Sequence, residues 1–223
     1  MNSFTEENYL KTIFKLFEKG MAEVSTNAIA ERMNTRAASV TDMLKKLSEK
    51  KLIHYQKYQG VTLTSQGKKI AVNIIRKHRL WEVFLVEKLS FKWDEVHDIA
   101  EQLEHINSDE LVVRLDKFLN YPKFDPHGDA IPDRNGKFHF QESRPISQLK
   151  KDDVCIMTGV VDHSPSFLQH LDKINILLGN EIKIKEINEY DKSIFISINH
   201  KKAIYLSNII AQNILVSLTR SDN

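Results

Sequence analysis

Cysteine is all but missing from this chain: Cys155 stands alone among 223 residues. A disulfide framework within the chain and an all-cysteine metal site are therefore both excluded. Long apolar runs are missing too, and none approaches the roughly 20 residues that a membrane-spanning helix needs. The first residues carry Asn2, Glu6, Glu7 and Asn8 in place of the basic start and apolar core of a signal peptide. The cytoplasm is thus the expected compartment, and no membrane partner is expected. Proline is scarce, five in all, and Pro122, Pro126 and Pro132 crowd into one stretch, which marks a linker there. What is present, 41% apolar and 28% charged residues, describes a soluble globular chain with core enough for one large domain or two to three small ones.

The formal net charge of +2 hides an asymmetry. Residues 1–80 carry 15 Lys and Arg against 7 Asp and Glu, a net of +8, and the remainder carries 17 against 23, a net of −6. A basic third ahead of an acidic remainder suggests a polyanion-binding module followed by something else.

Within the basic third, Tyr9, Leu10, Ile13, Phe14, Leu16 and Phe17 recur mostly three and four residues apart, predicting an amphipathic helix over 6–18 that Gly20 ends. Ser25 is a candidate N-cap for a short second helix with Ala28, Ile29, Ala30 and Met33 as its apolar side. Asn34 and Thr35 make a turn, and a third helix follows over 37–50 with Val40, Met43, Leu44 and Leu47 inward. Residues 52–55 and 61–63 read as a hairpin turning at Gln59-Gly60. Helix, turn, helix and hairpin in that order form a winged helix-turn-helix, whose later helix enters the major groove of double-stranded DNA. The groove-facing residues are then Arg36, Ala37, Ala38, Ser39, Thr41 and Asp42, with Lys45 and Lys46 nearer the phosphates and Lys57 and Tyr58 near the wing tip. Arg36 can donate bidentately to guanine, and the methyl groups of Ala37, Ala38 and Thr41 can meet thymine. The lysines and Tyr58 suit the phosphate backbone or the minor groove.

One long helix is predicted from Gln66 to Leu89, capped by Thr64 or Ser65, then a second from Trp93 to Ile106 and a third from Ser108 to Leu119. Helical spacing puts His78 and Glu82 on one face and His97 and Glu101 on another, with Glu104 and His105 one turn further on. Imidazole nitrogen and carboxylate oxygen together suit borderline and hard divalent cations, so two helices here could clamp a metal. His54, His127, His139, His170 and His200 have no partner at ligand spacing and read as ordinary histidines. Leu111, Val112, Leu115, Phe118 and Leu119, with apolar residues of the neighbouring helices, exceed what a small isolated core needs, which makes this region a candidate dimer interface. The stretch from Asn120 to Pro145 has no helical periodicity. Residues 146–217 read as short strands with one or two helical turns near 167–171, best accommodated by a small SH3-like barrel.

Taken together, these motifs resemble a known family. Tyr9-Leu10, Gly60-Val61-Thr62-Leu63-Thr64 with Gly67, the run from Lys77 and His78 through Trp81-Glu82 to Leu85, the run from Glu95-Val96-His97 to Glu104-His105, and Ser108-Asp109 are similar to the diphtheria-toxin-repressor family of metal-dependent transcriptional repressors. The similarity covers at least residues 5–132 and points to the manganese-responsive branch. It implies a homodimer that binds a pseudo-palindromic operator when loaded with manganese or ferrous iron and shuts off metal-uptake genes. It implies no small-molecule substrate and no enzymatic activity. The implied fold is mainly α with a small β component: a winged helix-turn-helix over 1–65, a helical metal-binding and dimerisation domain with a trailing linker over 66–140, and an SH3-like domain over 141–223.

The resemblance also implies two metal sites per subunit. One corresponds to His78, Glu82 and His97, with His163 as a further ligand from the C-terminal domain and Ser166 at a neighbouring position. The other corresponds to Glu101, Glu104 and His105, joined by Asn8 of the first helix. Glu101 stands where iron-responsive relatives often have Cys, and without sulfur the donors favour Mn²⁺, with Fe²⁺ second. Asn8 stands where relatives have Met or Asp and brings only a neutral oxygen. Glu7 is turned about 100° away from Asn8 around the helix, and Lys11, where some manganese-responsive members have a carboxylate, speaks against a further ligand one turn on. Asp125 stands where Cys is common. Two other classes fit a bare cluster of His and Glu: a metal-dependent hydrolase, which needs an open coordination position and a general base, and a metal-storage protein, which needs no recognition helix.

Overall fold

The computed structural model describes residues 2–18, 20–21, 23–56 and 60–219. Three helices and a hairpin come first: α1 (Phe4–Glu18), α2 (Thr26–Arg32), α3 (Ala37–Glu49), β1 (Ile53–Gln56) and β2 (Gly60–Leu63). Ser25 starts α2 by accepting the Ala28 N–H at 3.1 Å, which satisfies one of the free donors of the first turn. The two strands pair antiparallel from Ile53↔Leu63 to Gln56↔Gly60, and Val24 bridges to Val61 beside them. Lys57 and Tyr58, expected near the wing tip, lie outside the described residues. Leu10, Ile13 and Phe14 of α1 pack with Ile29, Val40, Leu44 and Leu47, and the core is closed by Ala71, Val72 and Ile75 of the next helix. Each large aliphatic side chain buried there contributes about 1.5–3 kcal/mol, so the start of that helix is held firmly to the winged module.

Glu6 fastens α1 to α3. Its carboxylate is 1% exposed and forms ion pairs with Lys46 at 3.0 Å and Lys50 at 2.8 Å. Burial pushes its pKa up, but Lys50, the Ser3 N–H and Lys46 outweigh that and hold it at about 2. A folded-state pKa below the ordinary 4.5 means stability that is fully present above that pH and lost as pH falls toward about 2. Glu6→Gln is expected to cost about 1–2 kcal/mol at neutral pH, because both lysines are half-exposed and regain water. Urea melts of the two proteins should converge as the pH drops below about 4.5, and a gap unchanged at acid pH would refute the ion-pair origin.

Three helices follow: α4 (Ser65–Leu89), α5 (His97–Leu103) and α6 (Asp109–Phe118). Thr64 caps α4, accepting the Gly67 N–H at 3.1 Å and donating to the Leu52 carbonyl at 3.0 Å. Helix α5 begins at His97 rather than at Trp93: residues 93–96 form a turn, and Trp93 packs on the C-terminal core instead of extending the helix. Ser108 caps α6 by accepting the Leu111 N–H at 3.2 Å. Three of the basic residues counted in the N-terminal third are buried on α4 and face inward. Arg76 pairs with Asp116 at 2.7 Å, Arg79 donates to the Ala130 carbonyl at 2.5 Å and pairs with Asp129 at 2.9 Å, and Lys77 donates to the Ile106 carbonyl at 3.4 Å. They tie α4 to its neighbours rather than serving as a DNA-facing surface. Leu80, Val83, Leu115, Leu119 and Ile131 form the core between α4, α6 and the linker, while Leu89, Leu111, Val113 and Phe118 stay exposed.

The C-terminal part contains β3 (Arg144–Pro145), a 3₁₀ turn (Ile146–Gln148), β4 (Val154–Val160), α7 (Pro165–Ile174), β5 (Glu181–Ile187), β6 (Ile194–Ile198), β7 (Lys202–Leu206), α8 (Asn208–Asn213) and β8 (Ile214–Leu218). The strands form one six-stranded antiparallel sheet in the order β3-β8-β4-β5-β6-β7, the architecture expected of the SH3-like module. Helix α7 is longer than the one or two turns expected, because Leu168 and Leu171 on its inner face cover Met157, Ile182, Ile184 and Val216. The linker docks onto this module where Val160 N–H donates to the His127 carbonyl at 3.0 Å. Among the described residues, no helix is long and apolar enough to cross a membrane.

Candidate metal centre

Helix α4 carries His78 and Glu82 one turn apart on a buried face, and α5 brings His97 against them. Glu82 is the hub. Its Oε1 lies 3.1 Å from His78 Nε2 and 3.6 Å from His97 Nδ1, and its Oε2 lies 3.7 Å from His127 Nδ1. The rings of His78 and His97 meet edge to face with centroids 4.9 Å apart, and His97 Nε2 is 3.8 Å from Glu101 Oε1. The linker supplies Asp125 and His127 from the other side, and the loop after β4 supplies His163, whose ring stacks on His127 at 4.9 Å. Donor atoms of His78, His97 and Glu101 lie within 4.8 Å of one another, as do those of Glu82, Asp125 and His127. A cavity of ≈ 20 Å³ opens between these groups, lined by His78, Glu82, His97, Asp125, Asp129 and His163 among others. That is room for about one water-sized occupant.

His127 is set up as a ligand. Its Nε2 donates to the Trp93 carbonyl at 2.9 Å, so in the neutral ring Nδ1 carries the lone pair. That nitrogen is buried without a hydrogen-bond partner and faces Glu82 and Asp125. An outer N–H fixed by a carbonyl and an inner nitrogen left free is the arrangement of a metal-bound histidine, and the all-nitrogen-and-oxygen donor set fits a hard or borderline divalent cation. Sulfur plays no part: Cys155 is buried in the barrel core with its thiol on the Ile182 carbonyl, and burial pushes its pKa up to about 12.

The charges fit the same reading. Burial alone would raise the Glu82 pKa, but His127, His78 and His97 outweigh it and hold the carboxyl well below its usual range. Burial, then the charges of Glu82 and Asp129, push Asp125 up to about 7. Burial resists charging of His127, yet Glu82 and Asp125 carry it up to about 9, and Glu104 and Glu82 raise His78 in the same way. Protons on the histidines thus balance the carboxylates where a cation would otherwise do so, and a metal entering the centre must displace them.

The second expected set is assembled differently. Lys11 Nζ of α1 sits 2.5 Å from Glu101 Oε1 and 2.6 Å from Glu104 Oε1, and Glu104 Oε2 faces His78 Nδ1 at 2.7 Å. His105 Nδ1 pairs with Glu7 Oε2 at 2.7 Å, and Phe4 stacks on the His105 ring at 4.6 Å. Glu7, turned away from Asn8 around the helix, is thus the α1 carboxylate that pairs with His105. Asn8 Oδ1 is buried with no hydrogen-bond partner. An ammonium lies between the two carboxylates here, and Asn8 adds no charge.

Of the residues singled out in the sequence, His78, Glu82, His97 and His163 surround one centre; Glu101 lies between that centre and Lys11, which also holds Glu104, and His105 lies next to Glu104. Ser166 is exposed, 3.4 Å from Ser164 Oγ, and does not line the cavity. Asp125 and His127 join this cluster from the linker, where helical spacing, which groups only residues on helices, does not single them out. The closely spaced Asp and His of Asp125-Pro126-His127 were the available signal. On α3, Arg36, Ala37, Ala38, Ser39, Asp42 and Lys45 are exposed; Thr41 Oγ1 donates back to the Ala37 carbonyl at 2.9 Å, and Lys46 is shared with Glu6.

Known proteins match this arrangement along its length. Residues 2–61 match the N-terminal DNA-binding domain of iron-dependent repressors, residues 64–133 their metal-binding and dimerisation domain, and residues 144–218 the FeoA domain. The diphtheria toxin repressor of Corynebacterium jeikeium is 31% identical over 202 residues, covering 88% of this chain and 77% of that protein. The HTH-type transcriptional regulator MntR of Oceanobacillus iheyensis is 39% identical over 120 residues, 53% of this chain and 80% of the relative. Among solved structures, a manganese-dependent transcriptional repressor in complex with manganese superposes with a TM-score of 0.84 at 34% identity, covering 96% of this chain and 100% of the other. ScaR with bound Zn²⁺ superposes with a TM-score of 0.72 at 33% identity, covering 95% and 98%. With a winged module, a helical domain and a barrel each matched in order, the chain belongs to the diphtheria toxin repressor family of metal-dependent transcriptional repressors.

Proposed function

We propose that this protein is a metal-dependent transcriptional repressor that acts as a homodimer on double-stranded operator DNA, with Mn²⁺ as its effector and Fe²⁺ second, at metal-uptake genes. The observation that carries this is the convergence of His78, Glu82, His97, Asp125, His127 and His163 from α4, α5, the linker and the barrel loop, one helix away from a winged module. A divalent cation held there would supply positive charge and directional bonds to Glu82, Asp125 and the imidazoles. The residues do the rest. Glu82 and His78 lie on the same helix whose first turns pack into the winged module, so anything that orders α4 against α5 also sets the attitude of α3. The exposed Leu111, Val113 and Phe118 of α6 suit the dimer contact. Two copies of α3 then meet successive major-groove faces about 34 Å apart.

The test is a fluorescence anisotropy titration on a duplex from the promoter of a metal-transporter gene, with Mn²⁺, Fe²⁺, Zn²⁺ or chelator. Mn²⁺ is expected to tighten binding about 100-fold, within the usual range of allosteric coupling, and chelation should reverse it. Equal affinity with Mn²⁺ and with chelator would sink the reading.

A further inference from the structure

We infer that the set formed by Asn8, Glu101, Glu104 and His105 is not a metal site in this chain: the Lys11 ammonium takes the cation's place and makes a metal-independent latch between α1 and α5. This rests on the reading of the protein as a metal-dependent repressor and narrows where its metal acts.

The geometry is that of a filled site. Lys11 is 5% exposed and Glu104 is fully buried, and Nζ lies within 2.6 Å of both Glu101 and Glu104. A Lys ammonium is a compact charge with three donors, and two of them are directed at these carboxylates. Both oxygens of Glu104 are engaged, one by Lys11 and the other by His78 Nδ1. Glu104 therefore serves as the outer carboxylate that orients His78, leaving Nε2 toward Glu82 and the cavity. A divalent ion placed in this set would have to expel the ammonium from between Glu101 and Glu104, or share a low-dielectric pocket with it against strong like-charge repulsion. The remaining donors offer little in return. Asn8 is neutral, and His105 is held through Nδ1 by Glu7. Asn8 Oδ1 and His105 Nε2 are buried without a hydrogen-bond partner, and His105 Nε2 lies 3.6 Å from Glu104 Oε1; a cation could use these donors only once the Lys11 ammonium had left.

The consequence is a shift in what metal controls. The contacts of α1 with the turn after α5, through Lys11 and through Glu7 to His105, persist without metal. The metal-responsive joint is confined to the centre around Glu82, where α4 and α5 meet the linker and the barrel.

The experiment counts Mn²⁺ per subunit by equilibrium dialysis with metal analysis on the full-length wild type, His105→Ala, Lys11→Gln and the double variant, each checked for folding by melting in chelator. In parallel, anomalous scattering locates Mn²⁺ in wild-type crystals and needs no variant. Expected are equal counts for the wild type and His105→Ala, one additional Mn²⁺ per subunit in Lys11→Gln, loss of that addition in the double variant, and no anomalous peak at His105 in the wild type. A wild-type peak at His105, a loss of metal on His105→Ala, or no gain in folded Lys11→Gln would overturn the inference while leaving metal-dependent repression standing. A wild type that binds no Mn²⁺ at all would overturn both.

Discussion

Replacing Glu82 by Gln is expected to weaken Mn²⁺ binding at least 100-fold, about 2.7 kcal/mol, and to abolish the metal-dependent gain in operator affinity. Among the described residues, Glu82 is the one carboxylate within 4 Å of three histidines, His78, His97 and His127, and it is held ionised by them. The amide keeps the shape but removes the charge that draws a cation into a buried pocket and one of the oxygens that would bind it. It also removes the support for protonated His78 and His127, so the variant's apo form should differ in its histidine titration as well. Isothermal titration with Mn²⁺ and operator anisotropy on the same preparation check this. Wild-type affinity for both ligands in Glu82→Gln would place the metal elsewhere.

Gly128→Ala should be nearly as damaging without touching a ligand. Gly128 has φ 90°, and a methyl group there would lie 2.1 Å from the Thr158 carbonyl oxygen and 2.5 Å from Gly159 Cα. Both neighbours are backbone atoms of β4 and cannot rotate aside. The linker must lift from the strand, breaking the Val160 to His127 hydrogen bond and withdrawing the imidazole from Glu82. Overpacking and the strained backbone together are expected to cost about 3 kcal/mol, and the displaced His127 should weaken Mn²⁺ binding at least tenfold. Thermal melts in chelator and a Mn²⁺ titration measure the two effects separately. Unchanged values in both would show that the linker does not depend on this contact.

Much of the fold was legible because it is written in local periodicity. The spacing of Leu10, Ile13 and Phe14, the caps at Ser25 and Thr64, the helix start at Ser108 and the hairpin ending at Val61 to Leu63 depend on residues a few positions apart, and each forms within a residue of where the pattern put it. Where a local pattern competed with packing, packing won: Trp93 left the predicted helix because the barrel core offered it a surface.

The amino-acid sequence by itself determined the order of modules, the helical faces bearing His78, Glu82, His97 and Glu101, and a ligand chemistry of nitrogen and oxygen without sulfur. All of these follow from side-chain type and from the 3.6-residue repeat. Only the tertiary structure decided that His127 and His163 stand across the cavity from α4, that Glu104 serves His78, and that Lys11 fills the space between Glu101 and Glu104. Lys11 and Glu104 are 93 residues apart in the chain, and His78 and Glu104 are 26 apart. No spacing rule reaches across such intervals. Their meeting is set by how α1, α4, α5 and the linker pack, and in a buried pocket that meeting decides which charges are balanced by protein and which are left for a metal.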